Sequence, residues 1–218
     1  MGQIIVTGKG RLSLKPDTIV VKFRSSAVYT DYAEAIAMAS KATKDLKALI
    51  AKAGIDGELL KTRNLDIRPK HETYYDNKDH RHERFVGYEY NHNSNIKIDN
   101  DNKLLGKLIY VVSTSPIDVN FDISYTVKDI EKAKNDLLRE AVKDAKMKAE
   151  VLSDVAGVKL KEIKSIDYSW DELEIYSHPL RLEACEYRSA EPSDSLDIDI
   201  NAEDIEISDT VSIVWEID

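Results

Sequence analysis

The sequence predicts an α+β protein made of two intertwined units, each a two-layer sandwich of antiparallel or mixed sheet with helices packed on one face. Three observations predict this class. Segments rich in β-branched residues alternate apolar and polar positions, other segments repeat apolar residues at helical spacing, and pairs of strands alternate with helices along the chain. The expected element order is therefore ββαββαβαββ.

The chain begins with two predicted strands, over residues 4–14 and 18–28. Pro16 and Asp17 predict a turn between them, because proline fixes the φ angle of a turn corner, so we expect the two strands to pair antiparallel. Gly8-Lys9-Gly10 interrupts the first strand. This segment lacks the third glycine and the following helix of a phosphate-binding loop, so it predicts a bulge or bend.

The first helix is predicted to begin at Thr30 or Asp31, the two N-cap candidates, and to end at Gly54. Glu34 follows Asp31 by three residues, which is the spacing of a capping box. Apolar residues then recur every three or four positions as far as Ile50, and the glycine that follows is typical of a helix C-terminus. This segment is expected to bury one face against a sheet.

The middle of the chain predicts a second pair of strands, over residues 59–67 and 85–98. The polar stretch 70–84 between them is predicted to be a long hairpin loop. A second amphipathic helix is expected next, with Asp99 or Asn100 as its N-cap.

Residues 117–127 alternate without a break and predict a strand. The longest helix is expected over residues 129–156, ending at Gly157. Several of its inward positions are alanine, so we expect this helix to approach a sheet closely. Another strand is predicted over 158–168, and a further one within 173–188.

The acidic residues are concentrated at the C-terminal end of the chain. The formal net charge is −9, and residues 186–218 contain 11 acidic residues and one basic residue. Residues 189–204 therefore predict an acidic linker, whereas 205–217 alternate apolar residues with acids and predict a final strand. The rest of the chain is nearly neutral.

These elements suggest a discontinuous division of the chain. Residues 1–84 together with 200–218 are predicted to form the first α+β unit. Residues 85–188 are predicted to form the second unit, and 189–204 link the two.

Composition excludes several classes of protein. No apolar run approaches the ~20 residues that span a membrane, and the first residues do not resemble a signal peptide. The single cysteine, Cys185, excludes an internal disulfide and a cysteine-based zinc site. An acidic chain without a basic stripe argues against nucleic acid as a partner. These features predict a cytoplasmic protein.

A cluster of histidines is the first candidate site. His71, His80 and His82 lie close together in the predicted loop among several acidic residues, and two imidazoles on one strand face could bind a metal ion. The alternative is a solvated hairpin tip rich in charge, which the wide ligand spacing favours.

Aromatic residues border the same loop. Tyr74, Tyr75 and Phe85 are candidates for a protein-contact patch, because tyrosine is enriched at interfaces. Tyr88 and Tyr90 follow the strand alternation, and packing on the sheet face is the favoured interpretation for them.

The chain resembles the SIMPL-domain family along nearly its whole length. The resemblance rests on an ordered set of residues: the opening Ile5-Val6-Thr7-Gly8-Lys9-Gly10, then Leu12, Leu14, Pro16-Asp17, Gly54-Ile55, Gly87-Tyr88, Ala141, Ala145, Ala149, Gly157, Leu160 and the closing strand from Ile205. This bacterial family includes periplasmic immunogenic and oxidative-stress-defence proteins and many members of unknown function.

The resemblance implies a two-part α+β fold, a tendency to self-associate and no catalytic residues or cofactors. We therefore expect a non-enzymatic, homo-oligomeric interaction protein, linked to the stress response by resemblance only. One alternative is a metal-binding protein or metal-dependent enzyme that uses the three histidines. Another is a small-ligand carrier with an apolar cleft between the two units.

Overall fold

The computed structural model describes residues 2–168, 174–177, 179–181 and 200–218. The chain divides into two compact units. Unit 1 contains Met1–Asp17, Tyr125–Ser177 and Ala202–Asp218, and unit 2 contains Thr18–Ser124 and His178–Asn201. The described strand pairings are antiparallel, and helices pack on the sheets, so the predicted α+β class is confirmed.

The helices and strands follow one another in nearly the predicted order. A single 3-10 turn, Gly57–Leu59, precedes the third strand. The elements are β1 (Gly2–Leu14), β2 (Thr18–Tyr29), α1 (Tyr32–Lys52), β3 (Lys61–Tyr75), β4 (Arg81–Asp99), α2 (Asn102–Ser113), β5 (Asn120–Thr126), α3 (Ile130–Ala156), β6 (Leu160–Asp167), β7 (Leu180–Arg181) and β8 (Ile205–Ile217).

Unit 1 is a three-stranded sheet, in the order β1-β8-β6, with α3 on one face. Successive side chains of a strand point to opposite faces, so alternate residues of β1 and β8 meet the helix. The buried residues on this side form two neighbouring clusters. They are Val6, Ala141, Ala145, Ala149, Val211, Ile213 and Trp215 in the first, and Ala133, Leu137, Ile175, Ile205 and Ile207 in the second.

The backbone of α3 lies directly against β1 at two glycines. A Cβ built on Gly8 would stand 2.6 Å from the Cβ of Ala145 and closer still to the Ala141 carbonyl oxygen. A Cβ on Gly10 would likewise overlap the Leu137 carbonyl. The close approach predicted from the alanines of α3 is confirmed. It also depends on the two glycines of β1, which have no Cβ to obstruct the helix.

The bulge or bend predicted at Gly8-Lys9-Gly10 is wrong. β1 pairs with β8 from Gly2 to Leu14 without a register shift. Here the glycines make room for a helix rather than altering the strand. The backbone N–H of Lys9 donates to Asp144 Oδ2 at 2.7 Å on the outer edge of β1, and Lys148 Nζ donates to the Thr7 carbonyl at 3.2 Å.

The predicted pairing of the first two strands is also wrong. β1 pairs with β8, and β2 pairs with β4 in a different sheet. The turn at Pro16 and Asp17 therefore carries the chain from one sheet to another. Local turn chemistry is compatible with a hairpin, but the partner of a strand is chosen by burial of its apolar face.

Unit 2 contains a five-stranded sheet in the order β3-β4-β2-β5-β7. Helix α1 packs on β2 and β4, and α2 lies beside α1. Of the two predicted N-cap candidates of α1, Asp31 is the cap, because its carboxylate accepts the Glu34 backbone N–H at 3.0 Å. The cap of α2 is Asp101 rather than Asp99 or Asn100, and its carboxylate accepts the N–H of Lys103.

The observed units group the strands differently from the predicted division into 1–84 plus 200–218 and 85–188. β1 and the C-terminal β8 share a unit, as expected, but β2, α1 and β3 belong with β4 in unit 2. The physical reason is the pairing of β2 with β4 over the whole length of β2. Most of the predicted linker 189–204, and most of the strand expected within 173–188, lies outside the described residues.

Candidate functional site

The hairpin formed by β3 and β4 extends beyond the sheet that it begins in. The last pair between β2 and β4 is Tyr29 with Tyr88, so, among the described residues, 81–87 pair only with β3. We call residues 70–75 and 81–87 the ribbon. Apart from Gly87, every residue of the ribbon is exposed or half-buried. The long loop predicted over 70–84 is wrong, because both strands continue to a short turn at 76–80.

A bulge marks the point where the ribbon leaves the sheet. The pairing register shifts between Lys70 and His71, which leaves Val86 without a partner on β3. Gly87 has a φ angle of 142°, and a Cβ there would stand 2.9 Å from the Tyr29 carbonyl carbon. This backbone conformation and this contact both require glycine. Bulges of this kind bend a strand and redirect it.

The turn at the end of the ribbon is organised by the carboxylate of Asp76. Its Oδ1 accepts the backbone N–H groups of Lys78 at 2.8 Å and His80 at 3.0 Å. Its Oδ2 lies 3.2 Å from His80 Nδ1 and 3.1 Å from His82 Nε2. Hydrogen bonds from the His80 backbone and the His82 side chain lower the pKa of Asp76, so it is an anion at neutral pH.

The structure brings two of the three candidate histidines together. His80 and His82 share Asp76, whereas His71 lies three pairs further along the ribbon, opposite Phe85. Cross-strand pairing places His71 and His82 on opposite faces of the ribbon, because side chains alternate along a strand. Within the described ranges, no three His, Cys, Asp or Glu side chains are placed to share one metal ion.

The candidate aromatic residues occupy two places on the ribbon. Phe85 meets Tyr88 edge to face at 5.3 Å between ring centroids, and Tyr88 meets Tyr32 of α1 at the same distance. This row holds the base of the ribbon against α1. Near the tip, Tyr74 stacks on His82 at 5.3 Å, and Tyr75 is 65% exposed. Tyr74 and Phe85 are 46% and 50% exposed.

One notable residue was not predicted, and it is the buried His92 of β4. Its Nδ1 lies 3.3 Å from the Thr43 hydroxyl on α1, and its Nε2 lies 2.9 Å from the Thr62 hydroxyl on β3. Burial lowers the pKa of His92, so the ring is neutral at neutral pH. The signal was present in the sequence, since the alternation that buries Tyr90 and Ile96 also points His92 inward.

In the part of the chain that the structure describes, no helix has the length and apolar character required to cross a bilayer.

A family model described as "SIMPL: Protein of unknown function (DUF541)" matches residues 4–215. The chain belongs to this family, and the resemblance drawn from its ordered residues is confirmed.

Two relatives extend the comparison along the whole chain. They are the 26 kDa periplasmic immunogenic proteins of Brucella abortus (strain S19) and Brucella melitensis biotype 1. Each is 25% identical over 219 residues, which covers 99% of this chain and 84% of the relative. The predicted cytoplasmic location is contradicted, because the names of both relatives describe periplasmic proteins.

Proposed function

We propose that this protein is a non-enzymatic, self-assembling protein in which the ribbon contacts a second copy of the chain. The observation that carries the proposal is the exposure of the ribbon, whose strands beyond Tyr88 pair only with each other among the residues that the structure describes. A two-stranded ribbon is marginally stable in water unless its faces pack against something. A ribbon of this length is therefore expected to gain stability from a partner.

Exposed aromatic side chains support a protein partner. Tyr74 and Tyr75 lie at adjacent positions and so point to opposite faces of the ribbon near its tip. Large rings with one polar end are enriched at interfaces because they bury much area with little loss of conformational freedom. β3 is also the edge strand of its sheet, so alternate backbone groups point away from β4.

Charge supports a second copy as that partner. The whole chain has a formal net charge of −9, which makes copies repel on average. Residues 70–87 contain four basic and four acidic residues and so carry no formal net charge with neutral histidine. A contact made through residues 70–87 therefore involves no net charge on either copy, whereas a contact through the acidic segment 186–218 would meet repulsion.

The mass of the full chain, measured by light scattering and native mass spectrometry, tests the proposal. We expect oligomers for the unaltered chain, and a shift toward monomer for the double variant Tyr74→Ser and Tyr75→Ser. The matched control is Val151→Ser with Val155→Ser, which removes two exposed apolar side chains from α3. A monomer at all concentrations would refute self-assembly.

A shortened hairpin tests the ribbon itself. Thr73 pairs with Glu83, so replacing residues 74–82 by Asn-Gly leaves this pair joined by a two-residue turn that antiparallel strands favour. We expect this variant to be folded and monomeric. Oligomers of unchanged mass would show that assembly uses another surface.

We further infer that the chain acts outside the cytoplasm, because the names of its two relatives describe periplasmic proteins. Fractionation of the native host, with a cytoplasmic enzyme as marker, tests this inference. Recovery with the cytoplasmic marker would refute it. The link to the stress response remains a prediction from the resemblance.

A further inference from the structure

A cleft in unit 2 has the composition of a small-molecule site and is separate from the ribbon. It has a volume of about 320 Å³ and lies where α1 passes the end of β2 and residues 116–118. Its apolar lining includes Tyr29, Tyr90, Met38 and Ile117. Sites for small ligands enclose roughly 300–1,000 Å³ and combine an apolar lining with a few polar groups.

Two tyrosine rings form the aromatic part of this lining. Tyr29 and Tyr90 stack with their centroids 6.3 Å apart and their planes 8° from parallel. Tyr90 is buried, whereas Tyr29 is half-buried and keeps part of its surface on the cleft. The face of an aromatic ring carries partial negative charge and attracts cations.

Three charged side chains complete the lining, namely Lys41, Asp45 and Asp118. None of them forms an ion pair with any residue that the structure describes. The Asp118 carboxylate is close enough to Tyr90 for its negative charge to raise the pKa of the phenol, in addition to the larger effect of burial. The phenol of Tyr90 is therefore neutral beside this carboxylate. With two carboxylates and one ammonium, the lining of the cleft carries a net negative charge.

A larger groove in unit 1 lacks these properties. It has a volume of about 660 Å³ between β1 and α3 and is lined mainly by charged side chains. Its carboxylates are already paired, Glu140 with Lys143 at 2.7 Å and Asp144 with Lys148 at 2.7 Å. A ligand there would have to compete with these internal pairs.

We propose that the unit 2 cleft binds a small organic cation, in which an ammonium group is attached to an apolar body. The ammonium lies near Asp118 and Asp45, where the tyrosine ring face adds a cation–π attraction. The apolar body packs against Met38 and Ile117. Lys41, which lies four residues before Asp45 on α1, disfavours a second positive charge on the ligand.

Titration of the isotope-labelled full chain, followed by NMR, tests the proposal with two probes of similar apolar body and opposite charge. We expect 2-phenylethylammonium to cause saturable shifts confined to the cleft and to bind at least about fivefold more tightly than 3-phenylpropanoate. Equal or tighter binding of the anion, or no saturable shift with the cation, would overturn the proposal.

Variants separate the carboxylate from general charge effects. Asp118→Asn is expected to weaken binding of the cation about fivefold. Glu162→Gln removes the same charge from an exposed position on β6 and is expected to leave binding unchanged. Tyr29→Leu keeps an apolar side chain and removes the aromatic ring face. It is expected to weaken binding of the cation more than binding of the anion. If Asp118→Asn and Glu162→Gln change the affinity for the cation equally, the cleft is not the binding site.

Discussion

Substitution of Gly8 by alanine tests the close contact between β1 and α3. The new Cβ would stand 2.6 Å from the Cβ of Ala145, and closer to the Ala141 carbonyl oxygen. Non-bonded carbon atoms prefer about 3.5–4.0 Å, so the helix must move away by roughly 1 Å. Overpacking of a core costs typically about 1–3 kcal/mol. Because the obstruction is helix backbone, we expect a loss of about 3 kcal/mol in the free energy of unfolding.

Urea denaturation followed by tryptophan fluorescence measures this loss within unit 1. Trp215 is buried in the cluster that α3 covers. The chain contains two tryptophans, so a Trp170→Phe background makes fluorescence report Trp215 alone. The matched control is Lys9→Ala, because the Lys9 side chain lies on the exposed face between the two glycines. We expect the control to change the free energy of unfolding by less than about 0.5 kcal/mol.

A double variant distinguishes backbone from side chain as the obstruction. Ala145→Gly removes the nearest Cβ but leaves the Ala141 carbonyl in place. We expect it not to rescue Gly8→Ala, and to add roughly 1 kcal/mol for glycine within a helix. Rescue by Ala145→Gly would refute the helix backbone as the obstruction, and a loss below about 1 kcal/mol for Gly8→Ala alone would refute the close contact itself.

Two further predictions concern unit 2. Gly87→Ala should lower the free energy of unfolding by about 1–3 kcal/mol, because its φ angle of 142° strains any other residue, and urea denaturation measures this loss; a change below about 0.5 kcal/mol would contradict it. Burial holds the pKa of His92 below its ordinary value, so stability is full above about pH 6.5 and is lost as the pH falls below that value, where the unfolded chain takes up the proton first. His92→Gln should therefore reduce the difference in the free energy of unfolding between pH 7.5 and pH 5.5. The substitution removes one titrating group, so the dependence of this free energy on pH should fall by at most about 1.4 kcal/mol per pH unit. Identical pH profiles for the two proteins would refute this account.

Much of the local structure could be predicted because it depends on neighbouring residues. The cap at Asp31 and the glycine that ends α3 at Gly157 were predicted correctly, since both rest on hydrogen bonds and φ angles within a few positions. The alanine stripe of α3 predicted a close approach because small side chains leave room for a neighbouring backbone. In the candidate site, alternation along β4 could also have identified His92 as buried.

The sequence by itself thus determined most of the elements, the family and the uneven charge of the chain. Only the tertiary structure decided which strands pair, because a strand shows its apolar face but not the partner that covers it. It decided that Gly8 and Gly10 accommodate a helix, and that residues 70–84 continue as paired strands. These outcomes depend on which segments pair, such as β1 with β8 from the two ends of the sequence and β3 with β4 along the ribbon. The exposed ribbon and the unit 2 cleft exist only once those contacts form.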